Sequence, residues 1–398
     1  MKNKKLLVIG AGLAQVDAIQ KAKDLGYDIL ASDGSSKAEG LKVANEARVL
    51  DVKDIEGNLA WAKEAKIDGV ISYASDITLP TVLAIREALV LPGLGRQPME
   101  ISLDKSQQRV RFKKAGLAQP DFDIVENLED FKKVLKRMGL PLVSKPVDNA
   151  GSRGVTLIFE MSQVDVAFQM AKEHTKVGKI LVEQYIEGTE LTVEGFSVDK
   201  KHHILTISDK YKPAGPYRVA TQLAYPADIT DKQEKQVIDL MTAAYDVMGV
   251  DNTPTHSEVI INDKGPHIVE VGCRGGGFYV FTRVVEAVSG YDIVGNWTRL
   301  CAGDVTELVE RKRRGVVLRF YAAKPGKLVS VKGLDKAKAI KGVQTDLFVR
   351  PGDTVPELKT DGSRTGWMIT RGKDRKEAVA LADLVSETVQ FETESVAL

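Results

Sequence analysis

Apolar positions recur along this chain with two different periods. Up to about residue 95, short apolar runs alternate with stretches of helical spacing. Strands are predicted at Leu6–Ile9, Asp28–Ala31, Ala47–Leu50 and Gly69–Ser72, and helices at Val16–Leu25, Ile55–Ala65 and Thr81–Leu89. Strand–helix alternation of this kind predicts a parallel sheet. From about residue 100 the texture changes. A helix is expected from Ser102, as N-cap, through Ala115. Strands follow at Phe122–Val125, Leu140–Pro146 and Val155–Phe159, with helices at Leu128–Met138, Gln163–His174 and Asp231–Met248. Ile180–Ile186 and Leu191–Val198 read as one hairpin, followed by a strand near Ile204–Ser208. Further helices are predicted at Phe278–Val288 and Tyr291–Gly303, before a strand-rich tail that closes with a helix over Arg375–Glu387.

The strongest period-two signal lies at residues 255–274. Both arms are β-branched and alternate around Asn262-Asp263-Lys264-Gly265-Pro266, which predicts a hairpin. With the turn centred on Lys264, Glu258 faces Glu270 and His256 faces Gly272, with Arg274 further along the same face. Val259, Ile261, Val269 and Val271 then point into a core. Two carboxylates directly opposite on a sheet repel, so a cation between them is expected. Oxygen ligands suit Mg²⁺, which shares itself with phosphate oxygens and water. Arg274 adds a fork that fits phosphate or carboxylate. The plainer reading is a hairpin whose polar face is merely wet.

Bulk numbers narrow the class. A chain of 398 residues with 43% hydrophobic and 28% charged content is ordinary for a multidomain globular enzyme. A formal net charge of +1 argues against a nucleic-acid or anionic-membrane partner, and no apolar run reaches spanning length. Cys273 and Cys301 are the only cysteines, which excludes a disulfide framework and fits a cytoplasmic setting. Lys2, Lys4 and Lys5 before Leu6–Ala14 imitate a short secretory signal, but a buried strand entering a Gly turn accounts better for the run. Gly10-Ala11-Gly12 with Asp33 echoes a dinucleotide fingerprint whose third glycine is replaced by Gln15.

Three further segments carry nucleotide chemistry. Lys145 ends a strand just before Asn149-Ala150-Gly151-Ser152-Arg153-Gly154, a turn whose N–H groups can close over phosphate oxygens. The motif is not a Walker A loop, since a strand follows and no Gly-Lys-Ser/Thr is present. Glu183-Gln184-Tyr185-Ile186 offers extended backbone at the rim of an apolar slot suited to an adenine edge. Glu190 follows, placed to accept from ribose hydroxyls.

In this order and spacing, Lys105, Lys145 with its Gly loop, Glu183–Glu190 and Glu258/Glu270/Arg274 resemble the ATP-grasp superfamily, of the carboxylate–amine ligase type. The resemblance is to bacterial L-amino-acid ligases and to related carbamoyl-phosphate-synthase-like enzymes. It implies a mixed α/β and α+β fold: a Rossmann-like front domain over 1–98, an ATP-grasp domain over 99–310, and a small strand-rich C-terminal domain over 311–398. Lys105 and Lys145 would contact ATP phosphates under a flap of Gly151, Ser152 and Gly154. Glu183, Gln184, Tyr185 and Ile186 would line the adenine pocket, with Glu190 on the ribose. Glu258 and Glu270 would hold Mg²⁺, with Mn²⁺ as a substitute. Arg274 would steady the substrate carboxylate and the transferring phosphoryl group. Where the family often has Asn, this chain has Gly272, so water would complete the metal shell and the ion number is one or two. The implied reaction activates a carboxylate as an acyl phosphate and joins it to an amine. Small-molecule acid and amine substrates and a homodimer are family expectations. Ser75, Asp76, Tyr217, Arg218 and His256 are candidate substrate contacts. Competing readings are carboxyphosphate or carbamoyl phosphate formation, an oxidoreductase using Gly10–Gly12, and a non-catalytic ATP-binding regulator.

Overall fold

The structure is a computed structural model and describes residues 3–213, 219–306 and 312–395. The front sheet is parallel, in the order Glu46–Val49, Asp28–Asp33, Lys5–Ile9, Gly69–Ile71. Leu6, Leu7, Val8 and Ile9 are fully buried, so the signal-like run is the middle of a sheet covered on both faces. The carboxyl ends of these strands lead into Gly10–Gly12 and toward Ser75 and Asp76, the edge where open α/β sheets bind ligands. Asp33 serves its own loop: its carboxylate accepts from the Ala11 N–H at 2.9 Å and the Ser35 N–H at 2.8 Å.

A small antiparallel sheet follows, ordered Phe122–Val125, Ile180–Gln184, Leu142–Pro146, Thr156–Ile158. Helices Leu128–Met138 and Val164–His174 bury Phe131, Leu135, Val164 and Ala167 against it. Among the described residues the largest sheet has eight strands. Its edge is the arm Gly265–Gly272, followed by Thr253–Asn262, Thr189–Val198, Lys201–Tyr211 and Gln222–Tyr225. The C-terminal strands Gly315–Tyr321, Gly366–Gly372 and Val343–Leu347 continue the same sheet.

Four expectations change. Ser102 lies inside a separate helix, Arg96–Leu103, and the cap of helix Lys105–Lys114 is Asp104, whose carboxylate accepts from the Ser106 N–H at 2.9 Å. Ile180–Gln184 and Thr189–Val198 do not pair; they belong to different sheets, because the intervening residues carry the chain from one to the other. The acidic hairpin turns at Asp263-Lys264, since Asn262 pairs with Gly265, and a bulge then restores the pairing of Glu258 with Glu270. Ile268 therefore enters the core fully buried, while Val269 stays partly exposed. The helix expected from Phe278 begins later. Phe278 and Tyr279 hold φ of 47° and 69°, and a π-helical turn over Val280–Val284 precedes Val285–Ser289. Gly275 permits this: a Cβ there would stand 2.1 Å from the Phe281 ring.

Candidate functional site

The acidic hairpin lies beside the helix Lys105–Lys114, which supplies what an edge strand lacks. Gln108 donates to the Val271 carbonyl at 3.0 Å and accepts from the Val271 N–H at 3.0 Å. Arg109 donates to the Val269 carbonyl at 2.7 Å. These bonds satisfy the exposed backbone of the edge and fix the bulge. Lys105 reaches Glu270 at 2.8 Å and the Asn149 carbonyl at 2.6 Å, so one ammonium joins the hairpin acid to the base of the Gly loop.

Glu258 is held by Lys210, which also reaches Glu190 at 3.3 Å; Lys212 pairs with Glu190 as well. Burial would raise the Glu258 pKa, but Lys210 and then Lys212 overcome it and hold the carboxyl far below the ordinary range. Glu190 is lowered in the same way, against its burial, by Lys210 and Lys212. Lys210 itself is pushed up by Glu258 and Glu190 in spite of burial.

Glu183 turns its side chain inward. Its carboxylate takes Arg109 on one oxygen and Lys145 on the other at 2.6 Å, with the three residues 3%, 1% and 5% exposed. Burial opposes the charge on Glu183, yet Arg109 and Lys145 keep its pKa low. Lys145 is pulled down by burial and by Arg109 in spite of Glu183. Two cations thus share one anion in a dry place, a surplus of positive charge that suits phosphate. Of the next three residues, the Gln184 N–H goes to the Asp121 carbonyl at 2.9 Å and the Tyr185 N–H to the Pro141 carbonyl at 3.2 Å. The Ile186 N–H has no hydrogen-bond partner among the described residues.

The Gly loop is left-handed at Gly151, Ser152 and Gly154. At Gly154, φ is +77° and a Cβ would stand 2.9 Å from His174 Cβ, so a side chain there is excluded twice over. Arg274 meets Asp76 at 2.8 Å, joining the central sheet to the segment that follows the front sheet. Both are half-buried, and the pair overcomes the desolvation: Asp76 is lowered, Arg274 raised. His256 binds Glu194 at 2.7 Å on the neighbouring strand. Cys273 is buried, its thiol pushed up to about 12 by desolvation, which suits core packing and not nucleophilic attack. Ser75 offers its carbonyl to the Thr78 hydroxyl at 2.8 Å. Tyr217 and Arg218 lie outside the described residues.

Arg109, Lys210, Lys212 and Glu194 escaped the sequence reading. The last three carried a usable signal: Lys210 and Glu194 lie on strands whose alternation aims them at the Glu258 face, as the pairing of Glu194 with His256 shows, and Lys212 follows its strand by one residue. Arg109 sits in a helix whose apolar residues are only Val110 and Phe112, too few to mark it as buried.

Residues 138–281 match the family described as ATP-grasp domain, and residues 319–394 match L-amino acid ligase C-terminal domain 2. The chain carries an ATP-grasp domain and an L-amino acid ligase C-terminal domain. Its similarity to the alanine–anticapsin ligase of Bacillus subtilis is 26% identity over 230 residues, 52% of this chain and 48% of that protein. To the formate-dependent phosphoribosylglycinamide formyltransferase of Pyrococcus abyssi it is 23% identity over 420 residues, 98% of this chain and 92% of that one. Among solved structures, an L-amino acid ligase from Bacillus licheniformis superposes with a TM-score of 0.87 at 22% identity, covering 99% of this chain and all of that one. At that identity the likeness speaks for the fold, and the mixed α/β architecture with its strand-rich C-terminal region agrees with it.

The ATP-grasp match runs from the end of helix Leu128–Met138 into the π-helical turn, and so takes in Lys145, the Gly loop, both hairpin acids and Arg274. Lys105 and Asp76 lie before it and reach the site through tertiary contacts. As a donor set, the carboxylates of Glu258 and Glu270 on neighbouring strands fit a hard divalent cation, with remaining positions for water and phosphate oxygen. Their lysine partners occupy the charge that such a cation would neutralise.

Proposed function

We propose that the protein uses ATP to activate a carboxylate as an acyl phosphate and then joins it to an amine, releasing ADP and phosphate. The carboxylate oxygen attacks the γ-phosphorus and the bond to ADP breaks. The amine lone pair then attacks the acyl carbon, and phosphate leaves with the electron pair of the broken C–O bond. Of the two protons the ammonium nitrogen loses, one ends on phosphate and one in solvent. Glu258 and Glu270 would hold magnesium, whose charge would offset that of the phosphates. Lys105 and Lys145 hold the triphosphate, and Gly151, Ser152 and Gly154 fold over it, excluding water that would hydrolyse the intermediate. The free Ile186 N–H reads the adenine edge, beside Glu183, Gln184 and Tyr185, and Glu190 takes the ribose in place of a lysine. Arg274 orients the substrate carboxylate, with Asp76 fixing the guanidinium and Ser75, Tyr217, Arg218 and His256 as further contacts.

The single observation that carries this reading is the pairing of Glu258 with Glu270 next to Lys105, Lys145 and Arg274. The relatives' ligase names support the amine as co-substrate. We also propose a division into domains at 1–98, 99–310 and 311–398, a cytoplasmic setting, a homodimer, and one or two metal ions with Mn²⁺ as a substitute. Among the described residues no helix is long and apolar enough to cross a membrane. The full chain is to be screened for phosphate release across a panel of acids and amines, with mass spectrometry of products. The expected outcome is Mg²⁺-dependent turnover that needs both substrates. Turnover with bicarbonate alone would favour carboxyphosphate chemistry, the reading that the formyltransferase relative keeps in view.

A further inference from the structure

We propose that Asp361, in the turn Asp361–Ser363 of the C-terminal region, receives the ammonium of the amine substrate. This rests on the ligase reading above and names the residue that its second substrate needs. The turn stands against the Gly loop: a Cβ on Gly151 would lie 4.0 Å from Asp361 Oδ2. The same carboxylate acts on Lys210, which holds Glu258, so Asp361 lies within electrostatic reach of that pair.

The other acids of the site are committed. Glu183 serves Arg109 and Lys145, Glu190 serves Lys210 and Lys212, Glu258 serves Lys210, Glu270 serves Lys105, Glu194 serves His256 and Asp76 serves Arg274. Asp361 is bound on one side only. Arg364 stands 2.8 Å from Oδ1, and Oδ2 has no hydrogen-bond partner among the described residues, with the side chain 29% exposed. Arg364 is itself anchored, donating to the Ala220 carbonyl at 2.7 Å and lying over the rings of Phe320 and Phe278 at 3.7 and 4.7 Å. A rigid guanidinium therefore fixes the carboxylate and leaves one oxygen aimed at the flap.

Electrostatics says what that oxygen would take. A carboxylate beside a triphosphate repels it unless a cation lies between them. The metal belongs to the hairpin, while an amine arrives at neutral pH as an ammonium, with three donors and no acceptor. Closure of the flap over ATP would bring phosphate, ammonium and Asp361 together, which orders amine binding after nucleotide.

The test uses the full chain and an acid–amine pair from the screen. Hydroxylamine, largely neutral at pH 7, traps the acyl phosphate as a hydroxamate without needing an ammonium site. In Asp361→Asn, hydroxamate formation from acid and ATP is expected to stay within about twofold of wild type, while KM for the amine rises on the order of 10-fold or more. Asp361→Glu, which keeps the charge, should restore most of the amine affinity; if Asp361→Asn does not fold, Asp361→Ser is read in the same way. Hydroxamate from the wild type together with an unchanged amine KM in the variant overturns this proposal alone. No hydroxamate from the wild type with any acid overturns the ligase reading and this proposal with it.

Discussion

Glu183 shows how far a residue's chemistry depends on which way its side chain turns. On the strand Ile180–Gln184 it could serve a ligand with its carboxylate, but that group is spent on Arg109 and Lys145. Removing the charge leaves two buried cations without their shared anion, and breaking a buried pair costs far more than the pair contributes against apolar substitutes. Glu183→Gln is therefore expected to lose about 3–5 kcal/mol of unfolding free energy in urea melts, with m unchanged. At the hairpin the prediction concerns rate. Glu270→Ala and Arg274→Ala should each lower ATP turnover at least about 100-fold, since groups that meet charge developing on the phosphoryl oxygens commonly contribute that much. Wild-type rates in a folded Glu270→Ala protein would remove the metal from its assigned place.

The acidic hairpin is the element in which pattern and geometry differ most usefully. Alternation alone makes Val269 a core residue and centres the turn on Lys264. The chain instead turns at Asp263-Lys264 and absorbs one residue in a bulge, which leaves Glu258 opposite Glu270 but exchanges Ile268 for Val269 inside. The exchange is measurable. Ile268→Ala removes fully buried volume and should cost about 2–5 kcal/mol, whereas Val269→Ala should stay below about 1 kcal/mol. Equal losses at the two positions would contradict the bulge. Its cause lies outside the hairpin, in the Arg109 and Gln108 side chains that bind the Val269 carbonyl and the Val271 backbone. The residues that hold this edge are 160 or more positions away in sequence, beyond the reach of any local period.

Charge is distributed over the whole molecule so that its response to acid has a definite sign. Asp76, Glu183, Glu190 and Glu258 all have folded pKa values lowered by basic partners that outweigh burial. A carboxyl that is more acidic folded than unfolded adds stability above its unfolded pKa, and the gain is lost as pH falls through the folded value. With unfolded carboxyls near about 4, thermal midpoints should hold above about pH 5 and fall steeply toward about pH 3. A flat profile over that window would mean that these pairs do not exist in solution. Because the clusters tie the front sheet, the Gly loop and the central sheet together, acid should uncouple ATP binding before it unfolds each core.

Local pattern determined the helices Ile55–Ala65, Leu128–Met138 and Asp231–Met248 to the residue, the front parallel sheet, and the opposition of Glu258 and Glu270. Those features follow from period and turn chemistry, which neighbouring residues express by themselves. Tertiary structure alone decided that Asp76 meets Arg274, that Arg109 lies in the dark beside Glu183, and that Lys210 and Lys212 face the acids. A charge becomes part of a site only when distant segments exclude water around it, and no single stretch of sequence records that exclusion.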